Sequence, residues 1–184
     1  MEFDRICMWI FGYGSLMWDG WEQRTGFQRR VTATLHGYRR VFNKASVRNW
    51  GDRRHPGPTL NIETCEGEAC KGVAFEFTEH SRDGVLAYLR EREGRDFALR
   101  ELKVCVPDEN DVVAIIPVYE GANILASRGL RDIVAQVRAA KGTSGPCVDY
   151  VAGIARELAR LSIDDPAVTS LCQELERGRG ATDG

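Results

Sequence analysis

The stretch "MWIFGYGSL", residues 8–16, decides how the rest of the chain is read. Met8 to Phe11 is an apolar run that predicts a buried strand over 8–13. Gly12 and Gly14 then flank Tyr13, although a strand interior gains nothing from bare backbone. Two glycines here allow either a bulge with a tight turn or the close approach of a ligand to the main chain. A strand that ends this way can turn successive N–H groups toward an anion. No Lys-Ser or Lys-Thr follows, so this is not a phosphate-binding P-loop, and the GxGxxG dinucleotide fingerprint is absent.

Outward from that strand the pattern alternates and then changes period. "TATLHGYRRVFN" (32–43) suits a strand bent at Gly37. "KASVRNWGDRRHPGP" (44–58) is rich in Gly, Pro and charge and predicts a long loop. Strands are expected at 59–64 and 71–78 around a "CEGE" turn, the second with Val73, Phe75 and Phe77 alternating. Helical spacing begins at Ser81, with Val85, Leu86 and Leu89 on one face and Gly94 to end it. Strands return at 99–106 and 112–119 across the polar turn "DEND".

The last third reads as three helices. Leu130, Ile133, Val134 and Val137 mark the first, Val148, Val151, Ile154, Ala155 and Leu158 the second. Asp165-Pro166 starts the third, a capping residue followed by proline at the first helical position. Strands early and helices late predict an α+β fold, a small, mostly antiparallel sheet curled into a barrel or half-barrel with flanking helices. With no repeat and no low-complexity linker, residues 1–184 are expected to form one domain, 1–7 being an N-terminal extension and 178–184 a flexible tail.

A chain of 184 residues, 43% hydrophobic and 28% charged, has ordinary globular composition. Its formal net charge of -2 supplies no global field for nucleic acid or an anionic membrane. No apolar run suggests a membrane span, and "MEFDRIC" lacks the layout of a signal peptide. The six cysteines are scattered, no CxxC occurs, and only three histidines are present. Reduced cytoplasmic thiols are expected, with no metal centre.

Three further places could bear chemistry. "YLREREGRDF" sets Glu91 and Glu93 among arginines near a helix end, which is a solvated face unless one carboxylate turns inward. Burial would move such a carboxylate toward the range useful for proton transfer. "RNWGDRRH" (48–55) is basic with Trp50 available for stacking, and fits a loop lining a small-molecule site or a solvated loop. Tyr119 and Tyr150, taken alone, are packing residues.

In order along the chain, "MWIFGYGSL", the Tyr-Leu…Arg-Glu-Gly segment, "PVYEG" (117–121) and "GTSGPCVDY" (142–150) resemble the γ-glutamylcyclotransferases, most closely the ChaC-like, glutathione-acting branch. The resemblance spans about Met8 to Leu161. It implies a small β-barrel with flanking helices and no cofactor. It implies that Gly12, Tyr13, Gly14, Ser15 and Leu16 face the α-carboxylate and amine end of a γ-glutamyl group. The catalytic glutamate falls on Glu93, with Glu91 the rival if the register slips. Tyr119 and Tyr150 match tyrosines near the substrate, and Arg39, in "GYRR", matches a basic position that is either a pocket wall or structural. The loop departs from the ChaC-like pattern, with Trp50-Gly51 and Pro56-Gly57-Pro58 where those relatives carry Asp-His-Arg-Gly and Pro-Gly-Arg. Cys147 stands where they often carry Asn.

The implied reaction is an intramolecular attack of the γ-glutamyl α-amine on the γ-carbonyl, releasing 5-oxoproline and an amine or peptide, Cys-Gly in the case of glutathione. Proximity favours the ring closure, and one carboxylate can serve as base and then acid. The competing readings are a cyclotransferase for γ-glutamyl amino acids or γ-glutamylamines, a non-catalytic γ-glutamyl-binding protein, and thiol-based acyl transfer through Cys147.

Overall fold

The computed structural model describes residues 7–126 and 129–177. The expected tail at 178–184 and all but the last residue of the expected extension at 1–7 lie outside them. The elements run β1 (Cys7–Gly12), β2 (Arg29–Ser46), β3 (Gly57–Thr78), α1 (Arg82–Glu93), β4 (Phe97–Val104) and β5 (Val112–Tyr119). Then follow α2 (Leu130–Ala139), the two-residue strands β6 (Lys141–Gly142) and β7 (Gly145–Pro146), α3 (Cys147–Arg160) and α4 (Pro166–Arg177). One five-stranded sheet has the order β2-β3-β1-β5-β4. β1 runs antiparallel to β3 and β4 antiparallel to β5, while β1 and β5 lie parallel through Trp9↔Ala114 and Ile10↔Ile115. The mostly antiparallel α+β reading holds.

The chain folds as two compact units, 7–39 with 64–121 and 40–63 with the described part of 122–177. In the first, Ile10, Phe11, Val73, Phe75, Phe77, Leu89 and Ile116 are fully buried. Each such aliphatic or aromatic side chain contributes roughly 1.5–3 kcal/mol on leaving water. Trp21 sits edge-on to Phe75 at 5.3 Å and stacks on Tyr88 at 5.9 Å, which joins α1 to the sheet. Thr34 and Cys105 exchange two backbone hydrogen bonds of 2.9 Å each. That bridge ties β2 to the residue after β4, so the two ends of the strand order meet and the sheet curls onto itself.

In the second unit, α2, α3 and α4 bury Val134, Val137, Val151, Ile154, Leu158, Val168 and Leu171. Leu130, expected on the buried face of α2, is exposed, because it is the first residue of the helix. Asp165 caps α4 by accepting from the Val168 amide at 3.2 Å, and its second oxygen accepts from Arg40 Nη1 at 2.8 Å. One buried carboxylate thus satisfies a helix end and a buried cation together.

Two expectations are corrected. "CEGE" is no turn, because β3 runs unbroken for 22 residues. Gly67, at φ +80°, absorbs a local irregularity within the strand, and the surrounding exposed Thr64, Glu66 and Glu68 have the composition of a turn without its geometry. Residues 44–46, assigned to a loop, extend β2, where Ala45 donates to the Asn123 carbonyl at 2.8 Å.

Candidate active site

β1 delivers the chain to a sharp turn. After Gly12 the backbone passes through Tyr13 and Gly14 into a 3-10 turn at Ser15–Met17, closed by Met17 N donating to Gly14 O at 3.0 Å and Trp18 N to Ser15 O at 3.1 Å. Gly12 is glycine because the turn folds back over it: a Cβ there would lie 2.9 Å from Cβ of Leu16. A turn of this kind leaves its leading amides without carbonyl partners inside the turn.

Side-chain hydrogen bonds within the unit brace this turn. Tyr13 is buried and its hydroxyl donates to the Pro117 carbonyl on β5 at 2.9 Å. Trp21 Nε1 donates to Leu16 O at 3.0 Å, and Arg30 Nη2 to Met17 O at 2.7 Å. Leu16 is itself buried. Ser15 turns its hydroxyl toward a charged group, the Arg92 guanidinium.

The other half of the site is the end of α1. The helix stops at Glu93 because Gly94 takes φ +85° and its N–H returns to Arg90 O at 3.0 Å. Glu91 is exposed, whereas the Glu93 side chain retains only 15% of its exposure. Arg92 Nε donates to Glu93 Oε1 at 3.0 Å, and its Nη2 donates to Ser15 Oγ at 3.1 Å and pairs with Asp19. Burial opposes the Arg92 charge, but the Asp19 carboxylate, helped by Glu93 and Tyr88, outweighs it and holds the guanidinium well above its ordinary pKa. Glu93 and the glycine turn are therefore brought to one cation.

The remaining expected residues are placed as follows. Tyr119 is buried at the end of β5, edge-on to Phe97 at 5.2 Å. Arg39 is exposed, whereas its neighbour Arg40 is buried and pairs with Asp165. Tyr150 belongs to the second unit, where its hydroxyl accepts from the Leu60 amide at 3.1 Å and its ring lies 5.4 Å from that of Trp50. Cys147 is fully buried, donates to Pro58 O at 3.4 Å, and burial pushes its thiol up to about 12. A thiol in that state is no nucleophile near neutral pH. Among the described residues no group of three or more His, Cys, Asp or Glu could hold a metal ion.

Sequence reasoning missed Arg92 and Asp19 as members of the site. The signals were weak: an arginine directly before the glutamate in a charge-rich run, and an aspartate three residues past the glycine turn.

A family model described as ChaC-like protein matches residues 8–178. Gamma-glutamylcyclotransferase 2-3 of Arabidopsis thaliana is 35% identical, over 92% of this chain and 89% of its own length. Glutathione-specific gamma-glutamylcyclotransferase 1 of Danio rerio is 30% identical over 89% of this chain and 86% of its own. The crystal structure of a γ-glutamyl cyclotransferase specific to glutathione from yeast superposes with a TM-score of 0.82 at 17% identity, covering 97% of this chain and 99% of that one.

Proposed function

This chain belongs to the ChaC-like family, and from that premise we propose that it is a γ-glutamylcyclotransferase acting on glutathione, with Glu93 as its acid/base. The observation that carries the reading is the half-buried Glu93 carboxylate held beside Ser15 of the glycine turn through Arg92. Exposure of Glu91 favours Glu93 over its rival. Relatives named as γ-glutamylcyclotransferases, the one from Danio rerio as glutathione-specific, match most of the chain.

The main chain of Gly12–Leu16 takes the α-carboxylate end of the γ-glutamyl group, its leading amides acting as donors. Glu93 removes a proton from the α-ammonium group. The freed amine nitrogen attacks the γ-carbonyl carbon, and the new carbon–nitrogen bond closes a five-membered lactam. As the old amide carbon–nitrogen bond breaks, Glu93 returns the proton to the departing nitrogen. The nitrogen that attacked still carries one surplus proton, which the same carboxylate relays to the released amine. The products are 5-oxoproline with a single lactam N–H and, from glutathione, Cys-Gly with its amine as ammonium. Holding the chain folded back supplies the proximity that the ring closure needs.

We extend the reading to Arg39, Tyr119 and Tyr150 as substrate contacts on the strength of their match to family positions. The whole chain is taken as one domain, which a single family match running from 8 to 178 supports. No helix among the described residues is long and apolar enough to cross a membrane. All six cysteines are free thiols, which supports a reducing, cytoplasmic setting.

The test is release of 5-oxoproline by purified protein from glutathione and from γ-glutamyl-alanine, side by side. Glu93→Gln is expected to lower turnover by about a thousandfold, the scale of lost general acid–base catalysis. Undiminished turnover by that variant would overturn the acid/base assignment. Release from the dipeptide alone would move the substrate to γ-glutamyl amino acids, and silence on both would leave a γ-glutamyl-binding protein. The same assay on Tyr119→Phe and Tyr150→Phe checks the contacts, a raised KM being expected of each.

A further inference from the structure

Neighbours one apart on a helix do not face each other, so Arg92 and Glu93 would ordinarily diverge. Here the helix ends at Glu93, and the Arg92 guanidinium turns back to its neighbour. Glu93 meets that one group at Nε, Ser15 and Asp19 meet it at Nη2, and Tyr88 bonds it as well. The cluster is sheltered, with Arg92, Asp19 and Glu93 keeping 19%, 27% and 15% of their side-chain exposure. A planar fork can hold donors at fixed angles to several acceptors, which a lysine ammonium cannot do.

Resting on the assignment of Glu93 above, we propose that Arg92 is a positioning residue for the cyclisation, fixing the Glu93 carboxylate relative to the glycine turn, and that Asp19 holds Arg92 in place. Arg92 touches neither the amine nor the carbonyl that react. It sets the relation between the group that moves the proton and the turn that holds the substrate. The turn keeps its own shape without Arg92, since its 3-10 hydrogen bonds, Trp21 and Arg30 hold Leu16 and Met17 independently. Loss of Arg92 therefore acts on the chemical step more than on binding.

The experiment is steady-state release of 5-oxoproline by wild type, Arg92→Ala, Arg92→Lys and Asp19→Asn, with thermal unfolding of each. Arg92→Ala is expected to lower kcat about a hundredfold, the cost of a misplaced catalytic group, with KM within about threefold of wild type. Guanidinium ion at non-denaturing concentration should return about a tenth of the lost rate to Arg92→Ala, while Arg92→Lys should stay as poor as Arg92→Ala. Asp19→Asn keeps the shape and loses the charge, and should lower kcat about tenfold. If Arg92→Ala does not fold, a wild-type kcat in Asp19→Asn overturns the proposal by itself. Folded Arg92→Ala with unchanged kcat, a change in KM alone, or no response to guanidinium also overturns it. An active wild type beside an unimpaired Arg92→Ala removes the positioning role alone, whereas a wild type silent on both substrates removes it together with the proposed function.

Discussion

The turn at 12–18 and the loop at 47–56 both carry glycine and tryptophan, yet they lean on different fastenings. The first is held by side chains: Tyr13, Trp21, Arg30 and Arg92 reach to or from it, each through a polar atom. The second is tied to residues 143–144 by main chain, with the side chains of Ser46 and Asp52 bonding its own amides. Thr143 N and Ser144 N donate to the carbonyls of Arg48 and Asn49, both at 2.8 Å, and Asp52 N donates to His55 O at 3.1 Å. Gly51 and Gly57 are pressed so closely that a Cβ on Gly57 would fall 2.1 Å from Trp50 O. A loop fastened by its backbone can exchange exposed side chains such as Arg53 and Arg54 without changing its path. A turn fastened by side chains can be retuned by single substitutions, which suits a place where chemistry is done.

The contrast can be broken most directly at Gly57. Gly57→Ala must displace backbone, and is expected to lower stability by about 3 kcal/mol, read as a fall in the urea midpoint at unchanged m-value. A neutral Gly57→Ala would show that the main-chain fastening is looser than its distances imply. Gly12→Ala meets a side-chain carbon instead, at 2.9 Å, and the turn can give a little. The expected cost is about 1–2 kcal/mol, with a clear fall in turnover as Leu16 shifts the turn. Equal stability losses in the two variants would erase the distinction.

The smallest effect belongs to Asp52, whose Oδ1 accepts from the amides of Arg54 and His55 at 2.7 Å each. Those amides, His55 first and then Arg54, hold its carboxyl below the ordinary 3.8. The charged form therefore favours the folded state. Its contribution is complete above pH 3.8 and disappears as pH falls through the lower folded value. Asp52→Ala should show a slight drop in Tm at neutral pH that closes toward acid. A gap constant across that range would remove the carboxylate from the account of this loop.

Much of this was open to reading along the chain. β1, α1 with its Gly94 stop, and the Asp165 cap follow from periodicity and terminal chemistry, because those signals are local. The unbroken β3 was not, since the exposed Glu66 and Glu68 of a strand look like turn residues until the neighbouring strand is known. The β6–β7 pair escaped notice because two-residue strands have no period at all. Glu93 was named through resemblance, while its hold on the turn was hidden. Arg92 and Asp19 lie 73 positions apart, and ordinary charge runs resemble theirs in every surface helix.

The bridge between Thr34 and Cys105 has one more consequence. An open sheet ends in rows of unpaired N–H and C=O groups that invite a strand from another molecule. Where these two residues bond to each other, the sheet has no such border to offer. The closure therefore protects against edge-to-edge aggregation at that point, and it does so with backbone alone, whatever side chains evolution places there.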